Sequence, residues 1–125
     1  MEIVCSTDSK YIMPTGIMLT SLFESNRGEV VNVHLLHDQN SAALLNPIRT
    51  IAARYQQNIH FYLINDDIFK HFPVGLDFQV DHVGTSFATY YRLYLAEILP
   101  ADIDKVIYLD GDILVVDKLV ELWNT

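Results

Sequence analysis

The sequence predicts an α/β fold, a three-layer sandwich with helices on both faces of a mostly parallel central sheet. Three observations carry this. Short apolar runs alternate along the chain with segments whose apolar residues recur at helical spacing, the pattern of a sheet wound with crossover helices. The first run, Ile3-Val4-Cys5, is continuously apolar, as in a strand covered on both faces. Acidic residues follow the first and fourth apolar runs, at the carboxyl edge where such sheets place their ligands.

The elements follow in order. Residues 2–7 read as a buried strand ended by Ser6, Thr7, Asp8 and Ser9. In the next helix Ile17, Met18, Leu19, Leu22 and Phe23 fall at helical spacing. Pro14 is tolerated there only in the first turn. Asn26, Arg27 and Gly28 stop it. Residues 30–37 form a second strand with Val31, Val33 and Leu35 on one face. Ser41 is a candidate N-cap for a helix over 41–55, in which Pro47 either makes a kink or marks the true first turn. Residues 59–64 form a third strand. Asn65, Asp66 and Asp67 suit the cap of a short helix ending before Pro73, and 74–84 reads as loop. A helix over 86–99 is predicted from Phe87, Tyr90, Tyr91, Leu93, Tyr94, Leu95 and Ile98, closed by Pro100. Residues 106–110 form a fourth strand, 113–116 a short fifth, and 119–123 one more helical turn.

The stretch Lys105-Val106-Ile107-Tyr108-Leu109-Asp110-Gly111-Asp112 carries the chemistry. In an extended segment residues i and i+2 share a side, so Asp110 and Asp112 present two carboxylates to one point. Gly111 lets something large approach the backbone between them. Two close carboxylates repel unless a cation joins them, and hard oxygen ligands suit Mg, Ca or Mn. The plain alternative is an acidic turn between strands. An EF-hand loop is excluded, since Leu114 and Val115 stand where it needs an oxygen ligand and a glycine.

Composition narrows the function. The 125 residues allow one domain with a real core. A net charge of -8 argues against nucleic acid, which needs a basic face, but not against a nucleotide held through a metal. No apolar run approaches the ~20 residues of a membrane span, and the first residues lack a basic signal-peptide start. The single Cys5 excludes a disulfide framework and reads as a buried small hydrophobe in a reducing cytosol. No G-x-G-x-x-G follows the first strand, which argues against a usual dinucleotide site.

Three segments in register resemble glycosyltransferase family 8, the group that includes bacterial lipopolysaccharide galactosyl- and glucosyltransferases and glycogenin. They are Ile3-Val4-Cys5-Ser6-Thr7-Asp8-Ser9-Lys10-Tyr11, Ala88-Thr89-Tyr90-Tyr91-Arg92-Leu93 and the run from Asp104 to Asp112, with Leu122-Trp123 beyond. The resemblance implies a Rossmann-like GT-A fold, a UDP-hexose donor (glucose or galactose), Mn²⁺ or Mg²⁺, and transfer with retention to a saccharide such as a lipopolysaccharide core. It places Ser6, Thr7, Asp8, Tyr11, Arg92, Asp110, Gly111 and Asp112 at the nucleotide-sugar. Asp8 contacts the uracil and Tyr11 packs on it. Arg92 lies near the diphosphate or sugar, Asp110 and Asp112 hold the metal, and the backbone at Gly111 lies against the ribose. Lys10 stands where relatives carry a small polar residue. The plain alternatives are a helix-packing Tyr11 and an Arg92 paired with Glu97 or a loop acid.

Family members continue for at least as long again. That part carries the acceptor site, a histidine as third metal ligand and an H-x-x-G-x-x-K-P-W-like segment. None of His34, His37, His60, His71 or His82 stands in such a context, and most are expected at strand ends or on the surface. The expectation is therefore a nucleotide-sugar-binding portion over 1–125, cytoplasmic or at the inner face of the membrane. It binds nucleotide without transferring sugar and self-associates near the C-terminal strand and Trp123. The rivals are a nucleotide-binding interaction module and a haloacid dehalogenase-type phosphatase. The latter carries its Asp-x-Asp on the first strand, with Thr or Val where Leu114 stands here.

Overall fold

The computed structural model describes residues 1–65, 67 and 87–125. The predicted short helix before Pro73, the loop over 74–84, His71 and His82 lie outside them. The described chain builds a four-stranded parallel sheet in the order β3-β2-β1-β4. The strands are β1 (Glu2–Thr7), β2 (Asn32–His37), β3 (Asn58–Leu63) and β4 (Ile107–Tyr108). The helices are α1 (Ile12–Ser25), α2 (Asn46–Arg54), α3 (Leu95–Ile98) and α4 (Val120–Trp123).

β1 is central. It pairs with β2 from Glu2↔Asn32 to Thr7↔His37 and with β4 at Ile3↔Ile107 and Val4↔Tyr108. Its continuous apolar run follows, because both faces are covered: Ile3, Val4 and Cys5 are all fully buried. On one face Ile3, Cys5, Val33 and Leu35 meet Met18, Leu19, Leu22 and Phe23 of α1 and Ile48 and Ala52 of α2. On the other, Val4 and Leu36 pack with Ile64 and Tyr91. Burial pushes the Cys5 thiol up to about 12, so it serves as a small hydrophobe.

α1 begins at Ile12, so Pro14 lies in the first turn, where no intrahelical N–H is lost. It ends at Ser25, and Gly28 takes φ +87° just beyond, a value that disfavours any side chain. Pro47 marks the true start of the next helix. A short 3-10 turn, Ala42–Leu44, comes first, and α2 then opens with Pro47 in its first turn. Ser41 does not cap a helix; its Oγ donates to the Asp38 carbonyl.

Two predicted elements are corrected. The helix over 86–99 is a 3-10 segment, Phe87–Tyr94, followed by the single turn of α3. Tyr91 is buried but Leu93 is 61% exposed, so the two lie on different sides of the segment. The fifth strand over 113–116 does not form. Ser21 Oγ accepts the Val115 N–H at 2.9 Å, and Ser25 Oγ donates to the Val115 carbonyl at 2.9 Å. Asn26 Oδ1 accepts the Leu119 N–H at 2.8 Å. Hydroxyls of α1 thus take the Val115 backbone groups that a neighbouring strand would have taken, and the Asn26 amide just beyond α1 holds Leu119. Val115 is buried, while Leu114, Val116 and Leu122 stay exposed. Trp123 lies under the Lys105 ammonium, 4.4 Å from its ring centre.

Of the described histidines, His37 ends β2 and His60 is exposed, as expected, whereas His34 is buried within β2. His34 Nε2 lies 2.7 Å from Glu2 Oε2 and its Nδ1 2.9 Å from the Tyr62 hydroxyl, with the His60 ring stacked alongside. Burial alone would raise the Glu2 carboxyl. Hydrogen bonds from Asn32 and His34, and the charges of His34 and the N-terminus, outweigh it and hold Glu2 below the usual carboxylate range. A depressed carboxyl stabilises the fold above its unfolded pKa and loses that contribution as pH falls through the folded one. The melting-temperature gap between wild type and Glu2→Gln is therefore expected to be full at neutral pH. It reflects on the order of 1–2 kcal/mol for a bond to a charged group, and closes below about pH 4. A gap constant down to acid pH would refute this account.

Candidate functional site

β1 and β4 are parallel neighbours, so their carboxyl ends share one edge of the sheet. The Leu109 N–H donates to the Val4 carbonyl at 2.8 Å and carries the pairing one residue past β4. Residues 111 and 112 then form a turn. The two-residue alternation that predicted a common side for Asp110 and Asp112 thus does not extend to Asp112. Asp112 is delivered by the turn, not by an extended strand. Both carboxylates face solvent.

Gly111 has a packing reason. A Cβ there would lie 2.7 Å from Thr15 Oγ1 and 3.3 Å from the Ser6 carbonyl oxygen. The close approach predicted for this glycine is made by α1 and β1. Thr15 Oγ1 also donates to Thr7 Oγ1 at 3.0 Å, and both threonines are buried. Thr7, a predicted site residue, therefore spends its hydroxyl on joining β1 to α1. Gly111→Ala is expected to cost about 1–3 kcal/mol, the range for overpacking a tight contact. Adding Thr15→Ala should make the double variant less destabilised than the sum of the singles. Simple additivity in urea unfolding would remove the packing explanation.

Asp8 directly follows β1 and is buried, at 6% exposure. Its Oδ1 accepts the N–H groups of Lys10 at 2.8 Å and Tyr11 at 3.1 Å, holding the turn into α1. Among the described residues no donor reaches Oδ2. Tyr11, at the mouth of that turn, is 43% exposed, with its ring available to a ligand.

Arg92 comes from the opposite face of the sheet. Its Nη2 lies 3.5 Å from Asp110 Oδ1, and its Cζ 5.1 Å from the Tyr108 ring centre. Arg92 thus pairs with Asp110 across the edge. Ser6 Oγ and the Tyr108 hydroxyl are 2.8 Å apart. Burial pushes the Tyr108 phenol above its ordinary range, against the opposing pull of Ser6 and Arg92, so it is protonated at neutral pH. Tyr108 was absent from the predicted site, although it precedes Asp110 by two residues on the same run, which was the available signal.

The edge thus gathers Asp8, Tyr11, Ser6, Arg92, Asp110 and Asp112, with Thr7 and Gly111 packed beside them. Two exposed carboxylates are a hard-oxygen donor set that fits Mn²⁺ or Mg²⁺. Among the described residues no group of three His, Cys, Asp or Glu gathers as a metal cage. A cation here takes further ligands from elsewhere, as Mg²⁺ takes them from substrate phosphates. No helix among the described residues is long and apolar enough to cross a membrane.

Over residues 2–125 the chain matches the profile described as glycosyl transferase family 8. It is 28% identical over 115 residues to the lipopolysaccharide 1,2-glucosyltransferase of Escherichia coli, covering 92% of this chain and 32% of that protein. It is 24% identical over 121 residues to the lipopolysaccharide 1,3-galactosyltransferase of Salmonella typhimurium, covering 97% and 34%. Among solved structures it is similar to galactosyltransferase LgtC in complex with donor and acceptor sugar analogs. The TM-score is 0.79 at 33% identity, over 100% of this chain and 42% of that one. The chain spans about a third of the length of the curated relatives it matches.

Proposed function

The chain belongs to glycosyltransferase family 8, and on that premise we propose that residues 1–125 form the donor-binding portion of a retaining hexosyltransferase, taking a UDP-hexose with a divalent cation. The supporting observation is the meeting of Asp8, Arg92 and the Asp110–Asp112 pair on one sheet edge, from three well-separated parts of the chain. The phosphatase alternative falls with the family match.

In this reading Asp8 holds the turn with Oδ1 and accepts the uracil N3–H with Oδ2. The exposed ring of Tyr11 stacks on the base. Arg92 supplies a fixed positive charge beside the diphosphate or sugar. Asp110 and Asp112 take the cation, preferably Mn²⁺. When bound, that cation acts as a Lewis acid on the departing UDP. The acceptor is a saccharide, with a lipopolysaccharide core the first candidate. Holding it in line with the donor falls to parts of the relatives beyond the third matched here. This chain alone is proposed to bind donor without transferring it.

Base choice tests the reading. Asp8→Asn keeps the acceptor that holds Lys10 and Tyr11 but puts an NH₂ donor where Oδ2 was. Uracil offers an N–H there and cytosine a lone pair. Wild type is expected to prefer UDP over CDP, and Asp8→Asn to shrink or invert that preference by about tenfold, as for loss of one charge-assisted bond. Equal affinity of wild type for both nucleotides in calorimetry would overturn the assignment of Asp8.

A further inference from the structure

The geometry points to Tyr108 as a positioning residue of the donor site, a platform that holds the Arg92 guanidinium beside Asp110 and is itself anchored by Ser6. The inference rests on the donor-binding reading above and adds to it a residue that the reading does not use.

Three contacts form one chain. Tyr108 lies on β4 in register with Val4 of β1, so its backbone is fixed by the central strand. Its hydroxyl meets Ser6 Oγ at 2.8 Å, which fixes the tilt of the ring. The Arg92 guanidinium carbon sits 5.1 Å from the ring centre, within the ~6 Å reach of a cation–π contact. From that seat Nη2 reaches Asp110 Oδ1 at 3.5 Å.

The Arg92–Asp110 pair itself adds little to fold stability. The Arg92 and Asp110 side chains are 44% and 53% exposed, and ion pairs so wetted contribute about 0–1 kcal/mol. The geometry does answer a binding requirement. A free arginine side chain carries ~2 kcal/mol of rotamer entropy, part of which is lost on meeting a phosphate. Seating the guanidinium on a ring beforehand removes part of that loss from the binding step. The same seat keeps a positive charge beside Asp110, where the diphosphate and its cation are proposed to arrive. Ser6 reaches the site through Tyr108, which gives its hydroxyl a role separate from direct ligand contact.

The test compares Tyr108→Phe, Tyr108→Leu and Arg92→Gln by calorimetry of UDP with Mn²⁺. Tyr108→Leu is expected to weaken binding about tenfold, and Tyr108→Phe, which keeps the ring, by no more than about threefold. In the Arg92→Gln background Tyr108→Leu should add less than about twofold, because the platform acts through Arg92. An equal loss in both backgrounds would show a merely structural role and overturn the inference. Should Tyr108→Leu fail to fold, Ser6→Ala takes its place, with a loss of about threefold confined to the chain that retains Arg92. A ligand-free readout separates this inference from the donor reading. The Arg92 Nε–H resonance should show a ring-current shift in wild type and Tyr108→Phe, absent in Tyr108→Leu or blunted in Ser6→Ala. A wild-type chain that shows the shift but binds no UDP removes the donor reading and leaves the platform. A wild-type chain without the shift removes the platform, whatever it binds.

Discussion

Changing Asp110 and Asp112 together to Asn is expected to abolish the Mn²⁺-dependent part of the thermal stabilisation that UDP gives this chain. A ligand that binds only the folded state stabilises it by about 2.7 kcal/mol at a hundredfold excess over Kd. For a domain of this size that is on the order of 10 °C in melting temperature. Amide oxygens are weaker, uncharged ligands, so two such changes remove most of the attraction for a divalent cation. Both carboxylates face solvent. Without ligand, the double variant should therefore melt close to wild type, within the ~0.5 kcal/mol typical of surface changes. Asp117→Asn, an exposed acid beyond the turn, serves as the control and should keep the full shift. A double variant that still responds to Mn²⁺ with UDP would place the cation elsewhere.

The largest loss of stability among single changes considered is expected at Tyr91. Its side chain is fully buried, and it packs with Val4, Leu36 and Ile64 on the sheet face opposite α1. Truncating a buried aromatic to Ala costs about 3–5 kcal/mol, part lost transfer energy and part cavity. Here that is on the order of 10–20 °C in melting temperature. The effect should reach function as well, because Tyr91 anchors the 3-10 segment that carries Arg92. Nucleotide affinity of Tyr91→Ala, measured well below its melting point, should therefore fall toward that of Arg92→Gln. Leu93→Ala, two residues on and 61% exposed, should stay within ~0.5 kcal/mol of wild type. Equal destabilisation by the two changes would contradict the placing of Tyr91 in the core and Leu93 at the surface.

Much of the molecule was legible in the residues. The continuous Ile3-Val4-Cys5 run announces a strand covered on both faces, and the structure buries all three. The alternating face of Val31, Val33 and Leu35, the first-turn Pro14 and the stop at Gly28 all follow from local geometry. So does the placing of Asp8 and Asp110 at one edge, because crossover helices make the strands parallel and bring their carboxyl ends together. Such features depend on residues a few positions apart, and periodicity records them.

Other features were decided only by the fold. Residues 113–116 look like a strand because they are apolar and extended. Whether such a backbone pairs with a strand or with side chains depends on what lies beside it, and here Ser21 and Ser25 of α1 and Asn26 just beyond it lie there. Gly111 looked like an opening for a ligand. Its missing side chain also makes room for Thr15 and Ser6, which no local pattern ties to it. Tyr108 and Arg92 meet across the sheet edge, as do Glu2, His34 and Tyr62 across three strands. The sequence thus determined the four parallel strands, the first two helices and the edge that carries the acidic residues. The tertiary structure decided which groups satisfy each other there, because hydrogen bonds and ion pairs act over a few ångströms of space and not along the chain.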